Sequence, residues 1–175
     1  ETWHFMEALE ELGGETWFRL GDRDLALHTY RRRRLEEGAT LTKVTNEICT
    51  RLGVEHKVLP MSDDPVRTQI ITPNGNLEFQ HYFVRDRCKP TAIGFKFAGI
   101  ENASINPAII AALETRPDAI VICPSNPFVS IDPILNLPNM RKRLRTTKSM
   151  IVAVSPIVAG KSLKGPTGKM MKELS

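Results

Sequence analysis

Cysteine is scarce in this chain. Cys49, Cys88 and Cys123 are its three cysteines, and none sits in a C-x-x-C pair. That excludes a disulfide scaffold, argues against a structural zinc site, and fits a reducing cytoplasm. No apolar run approaches the roughly 20 residues of a membrane-spanning helix, so no membrane partner is expected. Aromatic residues are only 6% of the chain. No RNA-binding signature interleaves them with basic residues, so no nucleic-acid partner is expected either. The dinucleotide fingerprint G-x-G-x-x-G is missing, as is the G-x-S-x-G elbow of serine hydrolases. His4, His28, His56 and His81 show no H-E-x-x-H spacing and read as surface or packing residues. These 175 residues read as containing no signal peptide, transit segment, internal repeat or low-complexity stretch.

What is present is ordinary globular material. The 175 residues are 41% hydrophobic and 25% charged, enough to bury about 70% of the unfolded chain's surface. The chain opens at Glu1 in what reads as helix interior and stops at Ser175 in mid-helix, so a piece of a longer protein is expected. Charge is uneven: residues 1–140 hold 15 basic and 19 acidic side chains, whereas residues 141–175 hold nine basic ones and only Glu173 as acid. A basic block beside a ligand crevice would attract an anion such as phosphate; the plainer alternative is a solubilising surface. The run Arg31-Arg32-Arg33-Arg34 reads as a solvated helix, because successive helical residues turn by about 100°.

Periodicity divides the chain. Trp3, Met6, Leu9 and Leu12 mark a helix over 1–12 that Gly13-Gly14 ends. A second helix is expected over 22–37, with Asp22 as cap and Gly38 as stop. A third spans 41–52, closed by Gly53. Lys57–Met61 and Arg67–Thr72 then read as strands. A Pro73-Asn74-Gly75-Asn76 turn leads to a hairpin partner over Leu77–Val84, and Ile93, Phe95 and Phe97 alternate in a further strand. Beyond these, Asn106–Arg116 reads as helix with Pro107 in its first turn. Ala119–Cys123 and Met150–Val154 read as strands buried on both faces. Residues 131–145 are mostly helical, broken by Pro133 and Pro138, and a helix starts near Pro166. Helix alternating with buried strand is the pattern of a parallel sheet. The expected fold is therefore α/β, a three-layer Rossmann-like, mostly parallel sheet with an added β-hairpin and helical insertion.

In open parallel sheets, ligands bind beyond the carboxyl ends of the strands. Three polar, proline-bearing loops succeed expected strands: Ser62-Asp63-Asp64-Pro65, Pro124-Ser125-Asn126-Pro127, and Ser155-Pro156 with Gly160, Lys161 and Ser162 beyond. Their hydroxyls, amides and backbone N–H groups are expected to converge on one phosphorylated ligand; the alternative is a set of caps and turns. Ser155–Ser162 (S-P-I-V-A-G-K-S) falls one residue short of a Walker A loop. Pro156 removes a needed N–H and Gly165-Pro166 breaks the chain where a P-loop continues as helix, so a P-loop is not expected. Asp63 and Asp64 could hold Mg²⁺ or steer a hydroxyl nucleophile, or else cap a turn. Arg67 could neutralise either aspartate or contact an anion.

Several segments taken together resemble the 2-phospho-L-lactate transferase family. They are Gly21–Ala26 (G-D-R-D-L-A), Met61–Thr68 (M-S-D-D-P-V-R-T), Gln80–Arg85, Cys123–Leu135 (C-P-S-N-P-F-V-S-I-D-P-I-L) and Ser155–Pro166. The resemblance runs the length of the chain in one order. It implies one incomplete domain over 1–175, with a β-rich acceptor-side part over 54–100 and a parallel α/β nucleotide-side part over 104–175. It implies transfer of a phospholactyl or phosphoenolpyruvyl group from a guanosine diphosphate-linked donor to the ribityl hydroxyl of the deazaflavin Fo. GMP is released, Mg²⁺ is the cofactor, and the pathway is that of coenzyme F-420. Carried over, Asp63 and Asp64 would be catalytic, and Met61, Ser62, Arg67 and Thr68 would face the acceptor. Pro124, Ser125, Asn126, Ser155, Pro156, Ile157 and Lys164 would face the donor. The metal ligands are not identified, since the family's glycine-rich N-terminal segment and the acidic residues after it have no counterpart here. For that reason the 175 residues alone are expected to be inactive. Thr167-Gly168 departs from the family pattern, which places a small residue and then Asp after Gly-Pro. The oligomeric state is open, with a homodimer as the candidate. The alternative reading is a non-catalytic nucleotide-sugar-binding regulator similar to the gluconeogenesis factors. Its G-P-G-S-L-Y-T-S-I loop differs from the C-P-S-N-P-F-V-S-I found here.

Overall fold

The computed structural model describes residues 2–159, 161–162 and 165–174, with only the backbone of Lys161. The chain divides into two compact units, Glu1–Pro60 and Met61–Ser175. The division falls inside the 54–100 stretch.

The first unit is three helices, α1 (His4–Glu11), α2 (Asp22–Glu36) and α3 (Leu41–Arg51), close to the bounds that periodicity predicts. All three end in the same way. Gly13, Gly38 and Gly53 take φ of 74°, 84° and 69°, a conformation that costs a residue with Cβ. The two N–H groups past each end turn back to carbonyls of the last turn, as in Gly13 N to Glu10 O (2.9 Å) and Gly14 N to Leu9 O (2.9 Å). This satisfies acceptors that a bare helix end leaves open. The start of α2 differs from expectation. Gly21 is its cap residue, and the Asp22 carboxylate instead accepts the N–H groups of His4 (3.3 Å) and Phe5 (3.1 Å) at the start of α1. Asp22 therefore caps the neighbouring helix, not the one it begins.

Hydrogen bonds from the Thr2 side chain and the Phe5 N–H hold the Asp22 carboxyl below its ordinary 3.8. A depressed carboxyl stabilises the fold above its unfolded value and loses that contribution as pH falls through the folded value. We expect the His4 and Phe5 amides to lose protection against exchange below about pH 4, and Asp22→Asn to weaken protection and remove this pH dependence. Unchanged exchange in Asp22→Asn would show that the carboxylate is not the cap. The Arg31–Arg34 run is the solvated face expected of it. Arg32 and Arg33 each pair four residues on with Glu36 and Glu37 at 2.8 Å. Arg34 turns inward to Glu37 and to Glu47 of α3. The Arg34 guanidinium, with the Tyr30 hydroxyl, holds Glu47 down to about 2.

The second unit begins with an antiparallel sheet of β1 (Arg67–Thr72), β2 (Gly75–Glu78) and β3 (Gly94–Ala98), ordered β2-β1-β3. Thr72 pairs with Gly75, so Pro73-Asn74 is the hairpin loop. Gly75, at φ 115°, already belongs to the strand. Two strand expectations fail. Lys57–Met61 is irregular, and the hairpin partner stops at Glu78 instead of continuing to Val84. The chain then winds into a wide turn over His81–Arg85. That turn places the Tyr82 ring in the core with Ile70, Ala92 and Met170, a burial that a straight strand on the sheet edge does not offer.

The parallel part is β4 (Ala119–Ile122) and β5 (Met150–Ala153), paired Ala119 to Met150 through Ile122 to Ala153. Between them lie α5 (Asp132–Leu135) and α6 (Met140–Thr146), separated at Pro138 as expected. Ahead of β4, α4 (Pro107–Glu114) starts on a buried Asn106 whose Oδ1 accepts the Ala108 N–H at 2.9 Å. Mixed helix and parallel strand confirm the α/β class. Burial on both faces is not observed, however. Val121 is 55% exposed and Met150 65%, because no described element covers these strands as a parallel sheet requires. Past β5 the described residues of the S-P-I-V-A-G-K-S segment form a two-stranded ribbon, β6 (Ile157–Val158) and β7 (Lys161–Ser162), with Gly160 outside the described residues. Helix α7 (Thr167–Glu173) starts one residue after Pro166. Among the described residues a ribbon stands where a P-loop has a loop running into a helix.

Candidate functional site

The chain leaves the carboxyl end of β4 through Pro124-Ser125-Asn126. Asn126 organises the next five residues. Its Oδ1 accepts the N–H groups of Phe128 (2.9 Å) and Val129 (3.4 Å), and its carbonyl accepts those of Ser130 and Ile131. Pro127 fits the first position of the resulting wide turn over Pro127–Ile131, where no N–H donor is needed. The turn's apolar face is anchored by Phe128, stacked on Phe95 of β3 at 5.4 Å between centroids. At the end of β5, Val154 N still bonds Ile122 O at 3.0 Å, so the Ser155-Pro156 loop leaves beside the Pro124 loop.

Helix α7 closes the third side. Met170 is fully buried against Tyr82, and Asn126 Nδ2 donates to its sulfur at 3.4 Å. Lys169 Nζ donates to the Pro90 carbonyl at 2.8 Å and the Tyr82 hydroxyl at 3.4 Å, and pairs with Glu173 at 2.5 Å. Glu173 in turn accepts the Ala92 N–H at 3.0 Å. One ion pair thus bridges α7 to the chain between the wide turn and β3. Burial raises the Glu173 carboxyl, but the Lys169 bond and the Ala92 N–H outweigh it and leave the carboxyl below its ordinary value.

These elements enclose a cavity of about 670 Å³ lined by Pro124, Ser125, Asn126, Pro156, Thr167 and the Phe79 and Phe83 rings, among others. Such a volume suits a small-molecule site. Two of the three expected loops meet here. The Ser125 hydroxyl has no hydrogen-bond partner among the described residues. Ser155 does not line the cavity; its Oγ accepts the Ile157 N–H at 3.1 Å, a turn role. Ile157 lies in β6, and Lys164 falls outside the described residues.

The third loop is built separately. Ser62 is buried and its Oγ accepts the Asp64 N–H at 3.0 Å. The Asp64 carboxylate accepts the Ser104 N–H at 2.8 Å. Asp64 therefore braces the loop against the start of α4, while Asp63 is exposed. Met61 packs with Val66 against Ala103, Ile105, Leu137 and Met140. Arg67 and Thr68 open β1, paired with Ala98 and Phe97. None of Met61–Thr68 lines the cavity. The described side chains of the basic block do not line it either, and those of Lys161 and Lys164 lie outside the described residues. Arg141 pairs with Asp132, Arg143 with Glu114 and Lys169 with Glu173, and no described lining residue is charged. Among the described residues no three His, Cys, Asp or Glu side chains gather as a metal site.

Sequence reasoning missed Phe79, Phe83 and Thr167. The first two fall in the expected Leu77–Val84 strand, and a spacing of four puts them on one side of a helix and of a strand alike, so their sequence carries no signal that separates the two. They stack at 5.5 Å between centroids. For the cap itself, we expect Asn126→Ala to lower stability by about 1 kcal/mol and Asn126→Asp, which keeps the acceptor, to lower it less. Equal losses in urea titrations would show that the cap is not the source.

A family model described as 2-phospho-L-lactate transferase CofD matches residues 2–175. The chain is 42% identical over 171 residues to a 2-phospho-L-lactate transferase of Methanosarcina mazei, covering 98% of this chain and 55% of the relative. It is 36% identical over 179 residues to a phosphoenolpyruvate transferase of Mycolicibacterium smegmatis, covering 98% and 54%. Among solved structures, a UPF0052-family protein of Bacillus halodurans superposes with a TM-score of 0.58 at 18% identity, over 77% of this chain and 42% of that one. This last likeness is one of fold. The chain spans about half the length of the curated relatives it matches. With the loops at the ends of β4 and β5 meeting in one cavity and the match running from end to end, the chain belongs to the 2-phospho-L-lactate transferase CofD family.

Proposed function

We propose that this chain carries part of a transferase site of coenzyme F-420 biosynthesis. The reaction moves a phospholactyl or phosphoenolpyruvyl group from a guanosine diphosphate-linked donor to the ribityl hydroxyl of the deazaflavin Fo. The observation that supports it is the cavity shared by Pro124-Ser125-Asn126 and Pro156 at the carboxyl ends of a parallel strand pair, in a chain whose relatives are named as such transferases. Relatives of both names match at similar identity, so both donor types stay within the reading.

Chemically, the ribityl oxygen forms a bond to phosphorus as the phosphorus–oxygen bond to GMP breaks, and the hydroxyl proton leaves to a base. Catalysis of this kind is mostly positioning and charge neutralisation. Asp63 is the carboxylate assigned to the hydroxyl, and Asp64 positions it by fixing the loop to Ser104. Ser125 is the assigned donor to the ligand. Mg²⁺ belongs to the reading as the neutraliser of the donor's phosphates. The described residues assemble no three-ligand centre for it, and no step here runs through it. A cytoplasmic setting and a homodimer remain part of the proposal. The test is titration with the fluorescent deazaflavin Fo, with riboflavin as control. Saturable binding that prefers Fo and weakens about tenfold in Asp63→Ala or Arg67→Ala is expected. A folded protein that binds Fo no better than riboflavin would sink the reading.

A further inference from the structure

A second recess lies at the amino ends of the two parallel strands. Glu114 and Arg116 line it from the end of α4, and Arg143, Thr146, Thr147 and Lys148 from the end of α6. Arg116 comes just before β4 and Lys148 just before β5, so this recess and the Pro124 cavity lie at opposite ends of the same strand pair. Its volume is about 260 Å³, below the range of sites for drug-sized ligands and suited to a compact ion. Arg143 and Lys148 belong to the basic block of residues 141–175, which the candidate site leaves unused.

Three cations meet here against one carboxylate. That carboxylate, Glu114, is 68% exposed and reaches Arg143 only at 3.7 Å. The side chains of Arg116 and Lys148 have no hydrogen-bond or ion-pair partner among the described residues. The carboxyl ends of α4 and α6 each contribute about half a negative charge, which with Glu114 still leaves the recess about one positive charge in excess. The hydroxyls are spent locally: Thr146 Oγ1 donates to the Lys142 and Arg143 carbonyls, and Thr147 Oγ1 lies 3.2 Å from Ser149 Oγ. Recognition therefore falls to the cations. Arg116 adds a separate observation. It sits one place past the end of α4 at φ 53°, a conformation that penalises a Cβ and a position that favours glycine. Gly13, Gly38 and Gly53 take that conformation after the other helices. An arginine here gives up stability and places a guanidinium at the recess.

We infer that this recess binds a compact, multiply charged phosphate anion, at a site separate from the cavity at the carboxyl ends of β4 and β5. The planar fork of Arg116 matches two phosphate oxygens at once, and Arg143 and Lys148 supply the remaining charge. The anion is either free or the terminal group of a larger molecule, since the recess has room for the phosphate and not for a body attached to it. The inference does not rest on the proposed transferase reading.

The experiment titrates the full chain with pyrophosphate and with adenosine diphosphate, reading the backbone amides by NMR, for the wild type, Arg116→Gly, Lys148→Gln and Ser125→Ala. Pyrophosphate is expected to shift the Arg116, Thr147 and Lys148 amides saturably, and less tightly as salt rises. Arg116→Gly and Lys148→Gln each weaken this binding about tenfold, the scale of one lost charged hydrogen bond, and Ser125→Ala leaves it unchanged. Arg116→Gly is also expected to melt about 2 °C higher, because glycine relieves the left-handed strain. Weaker binding in a more stable protein separates a ligand role from a structural one. If adenosine diphosphate shifts the same amides, the site accepts the terminal phosphate of a larger molecule; if pyrophosphate alone does, its ligand is the free anion. Amides that stay in place up to millimolar pyrophosphate overturn the inference. So does affinity within about twofold of the wild type in both Arg116→Gly and Lys148→Gln. Pyrophosphate binding that Ser125→Ala abolishes and Arg116→Gly leaves intact would place the anion in the other cavity, and the inference would fail while the transferase reading stood.

Discussion

Tyr82→Ala is expected to destabilise the second unit by about 4 kcal/mol, the middle of the range for truncating a fully buried aromatic. Tyr82 is 0% exposed and touches every side of its core: Ile70 of β1, Ala92 ahead of β3 and Met170 of α7, with Phe128 and Val129 packed around them. Truncation leaves a void where sheet, wide turn and helix meet. It also leaves the buried side of Lys169 without the ring that its ammonium faces at 5.8 Å. Tyr82→Phe separates packing from polarity. The hydroxyl bond to Lys169 is long at 3.4 Å, and Lys169 keeps Pro90 O at 2.8 Å and Glu173, so a loss of about 1 kcal/mol or less is expected. Urea unfolding of the three proteins measures both values. Losses of similar size in the two variants would mean that the hydroxyl, and not the ring, holds this core. If Tyr82→Ala does not fold, Tyr82→Leu gives the packing comparison.

Gly99→Ala is expected to cost about 3 kcal/mol, from two separate causes. Gly99 has φ 87°, a conformation that penalises any L residue by about 1–2 kcal/mol. Its added Cβ would also approach the Pro65 carbonyl oxygen well inside 3.0 Å, a backbone atom that no rotamer change can move. Pro65 closes the Ser62–Pro65 loop, so relief of the clash must displace that loop. The Asp64 bond to Ser104 N–H and the loop's packing through Met61 and Val66 would move with it. Thermal unfolding reads the stability, and exchange of the Ser104 amide reads the loop. A Gly99→Ala protein with wild-type stability and Ser104 protection would show that the close approach is not real. As a contrast, an alanine at Gly38 meets nothing within 4 Å and should cost only the same backbone penalty of about 1–2 kcal/mol.

Much of this protein is determined by its sequence alone, wherever the deciding interaction is local. The three N-terminal helices and their glycine stops are legible because a helix end is satisfied within about six residues. The Pro107 start is legible because proline's missing N–H matters only in the first turn, whereas the wide turn that begins at Pro127 reads as loop in the sequence. The broken Walker A segment is legible because Pro156 and Gly165-Pro166 forbid the required backbone. The family motifs, quoted in order, carry the kinship that the comparisons show. What only the tertiary structure decided depends on residues far apart in the chain. Asp22 caps a helix that begins 18 residues earlier, and no spacing rule announces that. The run after Glu78 leaves the sheet because Tyr82 gains more by burial against the distant Met170 than by pairing at an edge. Arg141, Arg143 and Lys169 turn away from the cavity because each finds a carboxylate elsewhere, which net charge along the sequence cannot foretell. Local backbone chemistry wrote the elements; the competition for burial and for ion partners, settled only when the chain is folded, chose which side chains face the cavity.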